Sequence, residues 1–117
     1  MHNFRELDVW KKARVLTSSV YKLTEMLPKH EQFGLSSQMQ RAAVSIPSNI
    51  AEGAGRTTGN DFCHFLDMAN SSSFELETQL IIAQDLGYID MEQLKKILDD
   101  IHEIQKMLRG LKKSIKK

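Results

Sequence analysis

Two histidines each follow an aspartate by three residues, a spacing that could bring a carboxylate and an imidazole to one metal ion. Asp61 precedes His64, and Asp99 precedes His102. Residues three apart share a helix face, and four-helix bundles of the ferritin type hold two metal ions with pairs of this kind. The pattern is therefore a candidate metal site.

The position of these pairs along their helices argues against a metal site. If the last two helices pair about a turn near Tyr88, His102 lies level with about residue 74, and His64 is roughly 15 Å further along the axis. The other helices also supply too few carboxylates for a di-metal centre. We therefore expect no metal and no cofactor, and we interpret both histidines as solvated surface residues.

Other patterns of catalytic chemistry are weak in this sequence. Cys63 and His64 are adjacent, and adjacent helical residues do not face each other, so a structural cysteine is the better interpretation. Arg56 lies among three glycines, but the segment follows a helix and lacks the Gly-Lys-Ser/Thr of a phosphate-binding loop. Arg56 and His64 are also too widely spaced for a helix-bundle ribonuclease. The chain is therefore predicted not to be an enzyme.

The charges of the chain are unevenly distributed. From Ile104 to Lys117 there are six basic residues and no acidic one, whereas from Asn60 to Leu86 there are five acidic residues and no basic one. Phosphate binding by the basic segment is one interpretation, and its strength would fall with salt. A solvated face that balances the acidic helix is the other. The candidate nucleic-acid-binding residues are Lys106, Arg109, Lys112, Lys113, Lys116 and Lys117.

A proline interrupts the helical pattern in the middle of the chain. Proline inside a helix removes one backbone hydrogen bond and costs roughly 3 kcal/mol. Pro47 would leave the carbonyl near Ala43 without its amide partner, and a polar side chain such as Ser45, Asn49 or Glu52, or a water, could supply one locally. Alternatively, these three polar residues bond to a neighbouring helix or subunit and fix its register. We therefore assign Pro47 and the three polar residues a structural or interface role.

Apolar residues recur at spacings of three and four along four segments, which predicts four helices. Their connections are short, so consecutive helices are expected to be antiparallel neighbours. The prediction is an all-α, up-down-up-down four-helix bundle that forms one domain, with the second helix kinked at Pro47. The predicted helices cover about residues 8–27, 35–54, 59–86 and 90–113 of the domain 1–117.

Three signals mark the predicted helix ends. Asp8 can cap the first helix with its carboxylate, and Asp90 with Gln93 three residues later resembles a capping box for the fourth. Gly87 suits the left-handed position that follows a helix end.

The composition fits one cytoplasmic domain. The chain has 117 residues, of which 41% are hydrophobic and 26% charged, as in a globular protein. Cys63 is the single cysteine, which excludes an internal disulfide and suits a reducing compartment. The charged N-terminus does not resemble a signal peptide, and no apolar run is long enough to span a membrane. We expect a cytoplasmic protein without a membrane partner.

Several motifs resemble those of the bacterial ribosomal-RNA intervening-sequence proteins. The most specific is Ser-Ile-Pro-Ser-Asn-Ile-Ala-Glu-Gly at 45–53, and Phe-Arg-Glu-Leu-Asp-Val-Trp at 4–10 resembles the start of the family. The resemblance covers nearly the whole chain. Further matching segments lie at 35–38, 41–43, 62–65, 75–80 and 86–88.

The resemblance implies both an assembly and a role. The family is similar to the accessory protein of diversity-generating retroelements, which implies a four-helix protomer in a homopentameric, barrel-like ring. It also implies a non-enzymatic role in binding structured RNA or DNA, or a reverse transcriptase, through a basic surface. Family members often have Ala-Arg-Gly-Ser where this chain has Ala69-Asn70-Ser71-Ser72, so one positive charge is missing there. The alternative is a protein-interaction scaffold that joins its own subunits or a protein partner without nucleic acid.

Overall fold

Four long helices account for most of the computed structural model, which describes residues 2–116. No strand occurs in this range, which confirms the all-α prediction. Two short 3₁₀ turns, Phe4–Glu6 and Lys29–Glu31, precede α1 and α2. The helices are α1 (Asp8–Thr24), α2 (Leu35–Ala54), α3 (Gly59–Asp85) and α4 (Met91–Lys116).

The first helix differs from its prediction at both ends. Leu7 occupies the cap position, and Asp8 lies in the first turn without a side-chain capping bond. The helix ends at Thr24 rather than Leu27, because the amides of the next three residues bond to carbonyls only three residues back. Such tight bonds close the last turn and satisfy carbonyls that a longer helix would use. The fourth helix instead extends beyond residue 113 to Lys116.

The capping signals of the last two helices are present in the structure. Asp90 accepts a hydrogen bond of 2.7 Å from the Gln93 amide, and Gln93 accepts one of 2.9 Å from the Asp90 amide. Gly87 has a φ of 78° and the Tyr88 amide bonds back to the Ala83 carbonyl, as in a Schellman motif. Both signals are confirmed.

The helices pack around one apolar core in a body of 44 × 24 × 20 Å. Each of the pairs α1–α2, α2–α3, α3–α4 and α1–α4 is in contact. Bonds across the α3–α4 seam join Asp67 to Lys112 and Glu77 to His102, so the chain order is opposite in the two helices. The largest fully buried side chains include Leu16, Met39, Ile46, Ile50, Leu66, Leu76, Leu80, Ile101 and Ile104.

Small residues allow α2 and α3 to approach closely. A Cβ atom placed on Gly53 would lie 2.7 Å from the Phe65 Cβ and 3.0 Å from the Phe62 Cδ1. Ala43 and Ala69 are fully buried.

No helix within residues 2–116 combines the length and the apolar character needed to cross a membrane.

Candidate nucleic-acid interface

Most of the predicted basic residues form an exposed stripe on α4. Lys106, Arg109, Lys113 and Lys116 are exposed and recur at helical spacing. None of them forms a salt bridge with another residue in the part of the chain that the structure describes. Their charges are therefore available to a ligand. Lys117 lies outside the described residues.

Lys112 differs from the other basic residues of α4. Its Nζ atom lies 2.7 Å from the Asp67 Oδ1 atom on α3, and its side chain is partly buried. The two interpretations of the basic segment thus apply to different residues. Lys112 balances the acidic helix, whereas the charges of the exposed stripe have no such partner among the described residues.

Charge separates along the whole molecule. Thr17 bonds to Ala43, and Ser73 bonds to Gln105, at a level near the middle of the bundle. One side of this level has ten Lys and Arg residues and five Asp and Glu residues. The other side has five Lys and Arg residues and ten Asp and Glu residues. We name these halves the basic end (residues 2–16, 44–73 and 105–116) and the acidic end (residues 17–43 and 74–104).

The start of α1 belongs to the basic end, a placement that the sequence alone leaves open. Val9 lies beside Met107 and Leu111, so the first turns of α1 pack against the last turns of α4. The Lys12 Nζ lies 3.7 Å from Asp100, which neutralises part of its charge.

An aromatic and basic cluster at this end was missed by sequence reasoning. Phe4 and Trp10 meet edge to face with ring centroids 5.0 Å apart, and Arg14 lies 5.7 Å from the centre of the Trp10 ring. Together with Arg5 and Lys11 they line an open hollow. The alternation of aromatic and basic residues between 4 and 14 was the signal that could have revealed it.

A hydroxyl on α1 lies within hydrogen-bond distance of the carbonyl that Pro47 leaves without its amide partner. Pro47 lies inside α2 with helical residues on both sides. The Thr17 hydroxyl on α1 lies 3.1 Å from the Ala43 carbonyl oxygen and 2.9 Å from that of Ala13, so it can donate to either. Ser45, Asn49 and Glu52 form no bond to the Ala43 carbonyl in the described part of the chain, so local repair by these side chains is not observed. The kink at Pro47 stays a prediction.

The polar residues beside Pro47 make other contacts. The hydroxyls of Ser45 on α2 and Ser72 on α3 lie 2.7 Å apart and form a hydrogen bond. Asn49 donates to the Ser45 carbonyl at 2.8 Å and so bonds within its own helix. Glu52 is exposed and lies 3.6 Å from Arg56, one turn along the chain. Of the three, only Ser45 joins α2 to a neighbouring helix.

The histidine pairs do not converge. His102 lies 3.1 Å from the Glu77 carboxylate, and its ring is exposed. Glu77 also accepts a hydrogen bond from Gln105 at 3.2 Å. His64 packs edge to face on Phe65. Within residues 2–116 no three metal-binding side chains are grouped closely enough to hold an ion.

The cysteine beside His64 is a core residue. Cys63 is buried in α3, and its sulfur lies 4.0 Å from the Lys112 carbonyl oxygen on α4.

The Glu31 carboxylate links the start of α2 to the turn after α3 at the acidic end. Glu31 accepts hydrogen bonds from the Leu35 amide at 3.1 Å, at the start of α2, and from the Tyr88 hydroxyl at 2.9 Å. Two hydrogen bonds hold the pKa of Glu31 below its ordinary value of 4.5. The bond from the Leu35 amide has the larger effect, and the bond from the Tyr88 hydroxyl has the next largest. The same bond raises the pKa of Tyr88, because a tyrosinate could not donate to the carboxylate.

Comparison with known proteins agrees with this architecture. The family model described as 23S rRNA-intervening sequence protein matches residues 5–110. The chain is similar to a Bacteroides thetaiotaomicron protein of unknown function from the S23 ribosomal protein family, whose crystal structure is known. The two structures agree with a TM-score of 0.83, and the sequences are 29% identical. The match covers 90% of this chain and 98% of that one. No curated protein matches the sequence significantly.

Proposed function

Because the chain belongs to the family of 23S rRNA-intervening sequence proteins, we propose that it binds nucleic acid, or an enzyme that acts on nucleic acid, through its basic end. The role is non-enzymatic. One observation carries the proposal: the exposed stripe of Lys106, Arg109, Lys113 and Lys116 has no salt-bridge partner among the described residues. Unpaired cations at helical spacing are suited to a row of phosphates, whose binding releases condensed counterions.

The experiment is fluorescence anisotropy with the full chain, using a structured RNA and a duplex DNA across a salt series. The expected affinity falls linearly with salt on logarithmic axes, because each phosphate contact releases counterions. Binding that is no tighter than roughly 10⁻⁴ M at physiological salt, with no salt slope, would overturn the proposed binding of nucleic acid.

Exposed apolar side chains support the assembly of several copies. Phe74, Ile81 and Ile82 lie on α3 with 52%, 40% and 41% of their surface exposed, and groups of large apolar side chains at a surface are typical of protein contacts. The family resemblance implies five copies, and we propose a homopentamer. Sedimentation equilibrium measures the mass independently of shape, and a monomer at micromolar concentration would contradict this part of the proposal.

A scaffold without nucleic acid is the second candidate function. The exposed carboxylates Asp61, Glu75 and Asp85 on α3 favour it, since they form no salt bridge with another described residue and could attract the α4 stripe of a second subunit. If α4 cations hold the assembly, changing Lys106, Arg109 and Lys113 to Glu lowers the sedimentation mass. An unchanged mass together with lost anisotropy binding supports the nucleic-acid function instead.

A further inference from the structure

The cluster at the start of the chain forms a small hollow with aromatic and cationic walls. Phe4, Arg5, Trp10, Lys11 and Arg14 line about 570 Å³ of open space at the junction of the first 3₁₀ turn and α1. Three of these side chains are cationic, and none is acidic. The hollow lies at the basic end, apart from the α4 stripe.

Trp10 is held in place from two directions. The Phe4 ring packs on it at 70° with a centroid distance of 5.0 Å, and the Arg14 guanidinium lies 5.7 Å from its ring centre. Trp10 and Arg14 also border a second hollow, whose far wall includes Pro47 and Ser48. The half-buried indole thus lines both open spaces.

The charges of the hollow's three cations are not neutralised by carboxylates of the described residues. Arg5, Lys11 and Arg14 are exposed, and they form no salt bridge with any residue from 2 to 116. Arg5 lies 5.6 Å from the centre of the Phe4 ring, which leaves its guanidinium facing an aromatic surface rather than a carboxylate. A ligand that suits these walls must offer both a flat π-system and negative charge.

We propose that this hollow binds an unpaired nucleobase stacked on Trp10, with Arg5, Lys11 and Arg14 contacting the adjoining phosphates. The inference rests on the nucleic-acid binding proposed above and specifies its ligand as a single strand or the loop of a structured one. Aromatic platforms between cations bind single strands in this way, because every base has a π-face. A base inside a duplex cannot present that face.

The test uses the intrinsic fluorescence of the full chain. Trp10 is the single tryptophan of the sequence, so its emission reports on a ligand in either of the two hollows that its ring borders. An unlabelled single strand of about ten nucleotides, within the usual site size, is expected to quench and shift the emission in a saturable titration. An oligomer of the same length without bases is the matched control, since it offers the phosphates but nothing to stack.

Two substitutions of Trp10 complete the test with labelled strands and anisotropy. Trp10→Leu preserves apolar packing but removes the platform, and it should weaken single-strand binding at least about five-fold while leaving duplex binding within about two-fold. Trp10→Phe retains a ring and should recover most of the affinity. Circular dichroism of each variant shows that the helices are preserved. Parallel RNA and DNA strands of one sequence show which sugar is preferred.

The outcomes separate the two proposals. Salt-dependent binding with unchanged Trp10 emission, and equal affinities for the wild type and Trp10→Leu, would overturn the stacking site and leave the proposed function standing. Quenching by the base-free oligomer equal to that by the normal strand would also overturn the stacking site. Absence of binding to every strand and duplex would overturn both the stacking site and the nucleic-acid binding on which it rests.

Discussion

At the residue scale, the Thr17 hydroxyl lies 3.1 Å from the Ala43 carbonyl oxygen, which Pro47 leaves without its amide partner. Without this hydroxyl, the Ala43 carbonyl would be buried between helices with no donor among the observed contacts. A buried polar group that loses its partner costs about 1–3 kcal/mol. We expect Thr17→Val to lower the free energy of unfolding by that amount in urea denaturation. The control is Thr78→Val, because the Thr78 hydroxyl is exposed and bonds only within α3, at 2.9 Å to Phe74.

A double-mutant cycle shows whether the Thr17 hydroxyl donates to the Ala43 carbonyl or to the Ala13 carbonyl. In Pro47→Ala the new amide can bond to the Ala43 carbonyl, so Thr17→Val should cost less in that background than in the wild type. Coupling energies of about 0.5–3 kcal/mol are usual for residues that share a partner. An equal cost in both backgrounds would show that the Thr17 hydroxyl serves the Ala13 carbonyl instead.

Two adjacent lysines of α4 should differ in their contribution to nucleic-acid binding. Lys112 is held by Asp67 at 2.7 Å, whereas Lys113 is exposed and has no salt-bridge partner among residues 2–116. We expect Lys113→Gln to reduce the affinity for RNA and lower the salt slope by nearly one, and Lys112→Gln to change both less. Anisotropy across a salt series measures both quantities. The reverse order would mean that the ligand displaces Asp67.

At the scale of elements, the seam between α2 and α3 depends on Gly53. A Cβ at this position meets the Phe65 Cβ at 2.7 Å and the Phe62 carbonyl oxygen at 3.2 Å, so α2 and α3 would have to separate. We expect Gly53→Ala to lower the free energy of unfolding by about 1–3 kcal/mol, as overpacking does. Gly110→Ala is the matched control in α4. A Cβ there meets nothing within 4 Å, so the substitution should stabilise by about 0.5–1 kcal/mol.

The hydrogen bonds of Glu31 before the start of α2 should make the stability of the protein depend on pH in the acidic range. Because hydrogen bonds lower the pKa of folded Glu31 below 4.5, its contribution to stability is complete above that value and is lost as the pH falls further. Glu31→Gln should therefore show a smaller fall of the urea midpoint between about pH 6 and about pH 3 than the wild type. Tyr88→Phe removes one of the two donors and should give an intermediate slope. If the urea midpoint fell equally with pH in all three proteins, the proposed contribution of Glu31 to acid sensitivity would be contradicted.

The elements also show which features sequence can predict. Helix spacing and the caps at Asp90 and Gly87 depend on residues within one turn, so the local pattern was sufficient. The partner of the Ala43 carbonyl lies 26 residues away, and its identity depends on how α1 is rotated against α2. The cluster around Trp10 is instead local in sequence, and it was missed because the contact of the Phe4 and Trp10 rings depends on how the first 3₁₀ turn folds against α1.

At the scale of the whole molecule, antiparallel packing turns a scattered charge pattern into two opposed ends. The basic end gains the cations of α1 beside those of α4, while the acidic end collects ten of the carboxylates. Such a separation orients an approaching polyanion before any contact forms. The position of a cation along the long axis should therefore matter more than the net charge of the protein.

Two triple variants with equal loss of charge separate the effect of position from that of net charge. Neutralising three exposed cations of the basic end to Gln should lower the magnitude of the salt slope by about 2–3, because each phosphate contact contributes roughly 0.7–0.9. The same change at the acidic end should leave the slope nearly unchanged, as measured by anisotropy with one RNA. Equal effects of both variants would show that net charge alone sets the binding and that the basic end is not the interface. The two sets are Lys106, Arg109 and Lys113 at the basic end, and Lys22, Lys95 and Lys96 at the acidic end.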